Sequence, residues 1–217
     1  MPRVSTPHLS DPLEPLRRPQ WQAEFRRKLV HLGFIILPLE LLHEVLPWPR
    51  GKGEFRVLFV ALVVGAIALD LLRLHERRVK RFFQTFFGEM IREHEQLSLL
   101  GSTYLLLAAL LAIEILPLPV AAAALGFTVL GDAFGALVGR AYGRHKFFNK
   151  SLEGALGCFI ACLLWAVYAA TFGHLPWSVL LVGALTATIV EMLPIPLDDN
   201  LGITLAAGYA MKLMLLH

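Results

Sequence analysis

The residues able to do chemistry in this sequence fall into two polar clusters set among apolar stretches. The first runs from Gly131 to Gly154, GDAFGALVGRAYGRHKFFNKSLEG. It holds an acid, Asp132, then glycines at intervals of four (Gly131, Gly135, Gly139, Gly143), then a basic exit of Arg140, Arg144, His145, Lys146 and Lys150. Glycines at that spacing share a helix face, which more often serves close helix packing than a ligand. A bare face also lets a phosphate approach the backbone, and packing alone would not require the basic exit. Lys146 and Lys150 are point charges suited to phosphates. Ser151 is placed to cap the following helix, whose first N–H groups would complete an anion site. The second cluster is EMLPIPLDDN, residues 191 to 200. Asp198, Asp199 and Asn200 beside its proline-stiffened turn read either as a helix cap or as oxygen ligands of the kind Mg²⁺ takes together with substrate phosphates. Asp132 is the other acid suited to that metal or to a reacting hydroxyl. The chemistry these groups suggest is the handling of a phosphate at a surface. No Walker A spacing is present, which excludes a P-loop kinase.

The elements that must position these residues are membrane helices. With 56% hydrophobic residues, 17% charged and a mean hydropathy of +0.61, the 217-residue chain reads as an all-α, polytopic membrane bundle. Seven apolar spans are expected, at 29–48, 56–72, 98–116, 118–139, 155–173, 176–193 and 200–216. The second is short, with Asp70 near its end. Pro117 and Pro119 force a tight hairpin between the third and fourth. Residues 1–25, with five prolines in the first twenty, read as a flexible cytoplasmic leader and interfacial segment; residues 26–217 form one membrane-embedded domain. Sixteen of the twenty Lys and Arg residues fall in segments on one side of these spans, which sets the N-terminus inside and the C-terminus outside. Both polar clusters then lie at the cytoplasmic face of a multi-pass inner membrane protein. Cys158 and Cys162, one turn apart in an apolar span, read as packing residues.

Asp132 sits about two turns, roughly 10 Å, below the expected inner edge, where an ionised carboxylate costs several kcal/mol unless paired or hydrated. Arg73 and Arg92 are the candidate ion partners. Elsewhere Asp70 and Arg73, Arg92 and Glu95, and Lys28 and His31 each stand one helical turn apart. The stretch FFGEMIREHEQLS reads as an amphipathic segment lying along the surface.

Taken together and in order, Arg27-Lys28-Leu-Val-His31, Asp70/Arg73, Arg92/Glu95, Gly131-Asp132 with Gly139-Arg140 and Gly143, Lys150-Ser151-Leu-Glu153-Gly154, and Glu191 with Pro196-Leu-Asp198-Asp199-Asn200 resemble the polyprenol kinase family. That family includes dolichol kinase, phytol kinase and the CTP-using diacylglycerol kinase of yeast. The resemblance implies transfer of the γ-phosphoryl group of a nucleoside triphosphate, typically CTP, to the hydroxyl of a membrane lipid alcohol (a polyprenol, a phytol-like isoprenoid or diacylglycerol), with Mg²⁺. It departs at Leu205, where a proline is expected. On this reading Gly131, Gly135, Gly139, Arg140, Gly143, Lys146, Lys150 and Ser151 handle the nucleotide. Asp132, Asp198 and Asp199 serve catalysis and, with Asn200, the metal, while Lys28, His31, Arg73, Arg92, Glu95, Glu153 and Glu191 support them. Nucleic acid is not an expected partner, and the glycine face could also pack across a homodimer. A CDP-lipid synthase and a small transporter are the alternative readings. No repeated half-sequence supports the transporter.

Overall fold

The computed structural model describes residues 19–216, so most of the expected leader lies outside the described residues. Nine α-helices and one two-stranded hairpin make up the described chain. Helix α1 (Pro19–Gly33) is the first described element. It breaks at residues 34–35 before α2 (Ile36–His43), so the first expected span is two helices, with the interfacial segment continuous with the first of them. Helix α3 (Gly51–His75) runs 25 residues. The second span is therefore among the longest helices, because residues 51–55 and 73–75 extend it at both ends with no proline to stop it. Helix α4 (Arg77–Phe87) follows, and a single 3-10 turn at His94–Gln96 leads to α5 (Gly101–Ile115). The amphipathic helix thus stands upstream of the stretch expected from the sequence, since Gly88 closes it and residues 88–97 are mostly turns.

Helix α6 (Leu118–Tyr142) starts with Pro117 as its cap, forming the expected tight connection from α5. A hairpin of β1 (Lys146–Phe147) and β2 (Lys150–Ser151) then opens α7 (Leu152–Gly173), followed by α8 (Trp177–Met192) and α9 (Asp199–Leu215). The strands pair Lys146 with Ser151 and Phe147 with Lys150, an element that the apolar pattern does not signal. Among the described residues, α3, α6 and α7 are long and apolar enough to cross a membrane, and α5 and α8 are shorter apolar helices.

Helix α6 is the axis of the bundle. Helices α7, α9, α2, α1 and α8 all pack on it. Its run Val120 to Ala124 is fully buried, and small side chains there let neighbours approach closely. The approach is tightest where glycine meets a large ring: a Cβ on Gly126 would lie 2.0 Å from the Trp165 indole of α7. Gly126→Ala is expected to cost about 1–3 kcal/mol of stability through overpacking, read as a lowered thermal midpoint in detergent. Cys158 and Cys162 are buried, free-thiol packing residues at this seam, facing Gly131.

A second fixed point holds the connection into α5. Arg73 donates to Asp70, 3.1 Å, and to the backbone carbonyls of Glu95 and Ser98. The other Asp70 oxygen accepts from Leu100 N and the Thr103 hydroxyl. Glu95 accepts from the backbone N–H groups of Arg92 and Gly101. Asp70, Arg73 and Glu95 are all buried, and protein partners satisfy the polar groups of this knot. The pairs read from one-turn spacing are a clamp on one segment.

Candidate functional site

The site is built from the polar stripe of α1. Glu24, Arg27, Lys28 and His31 recur at the three- and four-residue spacing of one helix face, and that face turns toward α6. Lys28 donates to Asp132, 2.5 Å, with both side chains buried. His31 Nε2 stands 3.5 Å from the same carboxylate oxygen. Lys28, neither Arg73 nor Arg92, is therefore the ion partner of Asp132: α1 packs on α6, and Arg73 is already committed to Asp70. Glu24 pairs with Arg27 and, at 3.0 Å, with Arg140 at the end of α6. Sequence reading gives Glu24 no role and uses Arg27 only within the motif Arg27-Lys28-Leu-Val-His31, although the i, i+3, i+4, i+7 stripe of the four residues is visible in it.

A cleft of about 500 Å³ opens beside this pair. Asp132, Gly135, Gly139 and Arg140 form its wall on α6. Lys146, Lys150 and Ser151 come from the hairpin, Gly154 from α7, Glu191 from the end of α8 and Asp199 from the start of α9. Arg27, Lys28 and Arg92 close the remaining side. The chain thus brings Asp132, Lys150 and Asp199 to one polar cavity from three separate elements.

Lys150 is its central charge, bonded to Asp199 and to Glu191 at 3.1 Å each. Burial alone would push the Lys150 ammonium down, but the Asp199 and Glu191 carboxylates outweigh it and hold it above the usual lysine value. Its contribution to stability is therefore fully present at neutral pH and is lost only as pH rises through that elevated value. Ser151 caps α7 by accepting from Gly154 N, 3.1 Å. Glu153 in the first turn accepts from the His145 ring, 2.7 Å, and from its backbone N–H, tying the hairpin base to the helix.

The glycine face is mainly a packing face. Added Cβ atoms at Gly131 and Gly135 would press on the cysteines of α7, and at Gly139 and Gly143 on Ser151. Gly135 and Gly139 also line the cleft, whereas Gly131 and Gly143 do not. Asp198 does not line it either: its carboxylate accepts from Asn200 N and caps α9. Burial, opposed by that hydrogen bond, pushes the Asp198 carboxyl up. The Asn200 side chain faces the start of α5, donating to Gly101 O.

Among the described residues, no three His, Cys, Asp or Glu side chains are grouped to cage a metal. The carboxylates that do line the cleft, Asp132, Glu191 and Asp199 among them, fit a Mg²⁺ that takes one or two protein oxygens and completes its octahedron with phosphate oxygens and water. Arg27, Lys28, Arg92, Arg140, Lys146 and Lys150 beside those acids suit a polyanion larger than one phosphate.

No protein-family model and no solved structure matches this chain. It is 30% identical to the chloroplastic farnesol kinase of Arabidopsis thaliana over 207 residues, covering 85% of this chain and 63% of that protein. It is 32% identical over 198 residues to a probable chloroplastic phytol kinase of Glycine max, covering 83% and 62%. An uncharacterised protein of Rickettsia prowazekii is 24% identical over 190 residues, covering 84% of this chain and 90% of that one. The chain thus spans somewhat under two thirds of the plant relatives.

Proposed function

From the similarity to plant farnesol and phytol kinases, together with the cleft, we propose that this chain is a polyprenol-kinase-type lipid-alcohol kinase. It transfers the γ-phosphoryl group of CTP to the hydroxyl of a membrane lipid alcohol at the cytoplasmic face of an inner membrane. All seven apolar segments lie in the bilayer, with the N-terminus inside. The observation that carries the reading is one cleft holding both Lys146, Lys150 and Arg140 for a triphosphate and Asp132 and Asp199 for metal and acceptor.

Phosphoryl transfer asks the protein for charge neutralisation and in-line positioning more than for covalent chemistry. Lys150, Lys146 and Arg140 hold the triphosphate, with the α7 N-terminus behind Ser151 adding backbone N–H groups. Asp199, with Glu191 beside it, would hold Mg²⁺, which supplies neutralisation of the β- and γ-phosphate charge. Asp132 orients the acceptor hydroxyl. The hydroxyl oxygen forms a bond to the γ-phosphorus as the bond from that phosphorus to the β,γ-bridging oxygen breaks; CDP leaves, and the hydroxyl proton passes to Asp132. Lys28 holds the Asp132 carboxylate in place for this, and His31 borders it.

Purified chain incubated with CTP or ATP and a panel of phytol, polyprenols, diacylglycerol and phosphatidate tests the reading. The expected products are CDP and a lipid phosphate. Pyrophosphate and a CDP-lipid would instead identify a cytidylyltransferase, and no turnover with any nucleotide would overturn the assignment.

A further inference from the structure

A second cleft of about 290 Å³ lies on the other side of Asp132. Its outer walls are apolar: Val30 and Phe34 from the α1 side, Phe83 and Phe87 from α4, and Met90 and Ile91 after it. Its inner end is shared with the polar cleft through Arg27, Lys28, Arg92 and Asp132. We propose that this groove between α1 and α4 seats the hydrocarbon tail of a single-chain alcohol, delivering its hydroxyl to Asp132, and that Val30 and Phe83 set which tails fit. The proposal rests on the kinase reading and names the acceptor side of that site.

Three observations carry it. The inner end of the groove has a polar group without a partner: His31 Nε2 is buried and makes no hydrogen bond, 3.5 Å from Asp132 Oδ2. A hydroxyl that bridges the pair from the groove side donates to the carboxylate, which Lys28 already bonds, and bonds the imidazole Nε2, giving that nitrogen its missing partner. The outer end is bordered by an amphipathic helix. Helix α4 buries none of its residues in the bundle and carries Arg77, Arg78, Lys80 and Arg81 together with four phenylalanines, the composition of a helix lying in a membrane interface. Phe82, Phe86 and Phe87 are 54%, 65% and 42% exposed, so the groove lip is an apolar surface continuous with its lining. The size suits a single chain: about 290 Å³ is at the low end of ligand sites, room for the head-proximal part of one chain.

The test uses the whole purified chain in detergent with a farnesol-length isoprenoid alcohol carrying a diazirine near its hydroxyl, photolysed without nucleotide and mapped by mass spectrometry. Label is expected on residues 29–34 and 83–91. Val30→Trp, at a position 57% exposed and outside the core, is expected to reduce that labelling about tenfold and raise KM for the alcohol at least tenfold, with nucleotide affinity unchanged. Phe83→Ala is expected to shift preference toward bulkier chains. Label on α5, α8 or α9 instead, full labelling of the Val30→Trp chain, or diacylglycerol accepted as well as the single-chain alcohol would each overturn the groove assignment. Label confined to the groove, with no phosphate transferred from any nucleotide, would support the groove as an alcohol site while sinking the kinase reading.

Discussion

Asp132→Asn is expected to lower lipid phosphorylation by at least about 10³-fold while leaving the bundle assembled. The loss is large because one carboxylate lines both clefts, so that on the proposed reading it faces phosphate and acceptor at once. Groups that act on charge developing in a water-poor site are worth about 10²–10³ or more in rate when removed singly. Asparagine keeps an oxygen for the Lys28 ammonium, so the pair at 2.5 Å becomes a charged hydrogen bond instead of an orphaned cation. The stability cost is then expected to stay within about 3 kcal/mol, below the range for removing one partner of a buried pair outright. Activity measured beside a thermal melt separates the two effects, and wild-type turnover in a folded Asp132→Asn chain would remove this carboxylate from the reaction.

Lys150→Met should have the next largest effect, this time on the nucleotide. Lys150 is the cation that both Glu191 and Asp199 contact, so its removal leaves two carboxylates facing an incoming triphosphate with nothing between them. Truncating one member of a buried charge pair costs about 2–5 kcal/mol in binding, and Lys150 and Asp199 are only partly buried, so nucleotide affinity is expected to fall about 30-fold, the low end of that range. Lys146→Ala makes the comparison informative, since Lys146 is exposed on the hairpin and holds no such cluster. It should lower affinity only a few-fold. Equal, small losses in both variants would mean that Lys150 is no more than a topological charge.

These expectations rest on residues that differ in how visible they are in the sequence. Periodicity and composition locate the apolar helices, because burying an apolar stretch in protein or lipid is the dominant energy and leaves a plain trace. The acid in its apolar surroundings and the basic exit are visible for the converse reason: they are costly there unless something pairs them. The identity of the pairing is not legible. Asp132 needs a cation, and arginines nearer in sequence are as good on charge grounds as Lys28; only the docking of α1 against α6 decides between them. The hairpin at 146–151 escapes sequence reading because two-residue strands leave no alternation to read. Asp198 and Asp199 are adjacent and chemically alike. Which of them faces the cleft depends on the helical start of α9, where Asp198 turns to cap and Asp199 turns inward.

A ribosome delivers Lys28 104 residues before it delivers Asp132. During that interval the first helix carries a cation that will end up buried but has no counter-charge yet, which favours keeping α1 at the headgroups rather than in hydrocarbon. Docking of α1 onto α6 is thereby a late step of membrane insertion, one that only a chain synthesised past residue 132 can complete. The contact that fixes the Asp132 carboxylate thus also ties the closure of the cleft to the completion of its central helix.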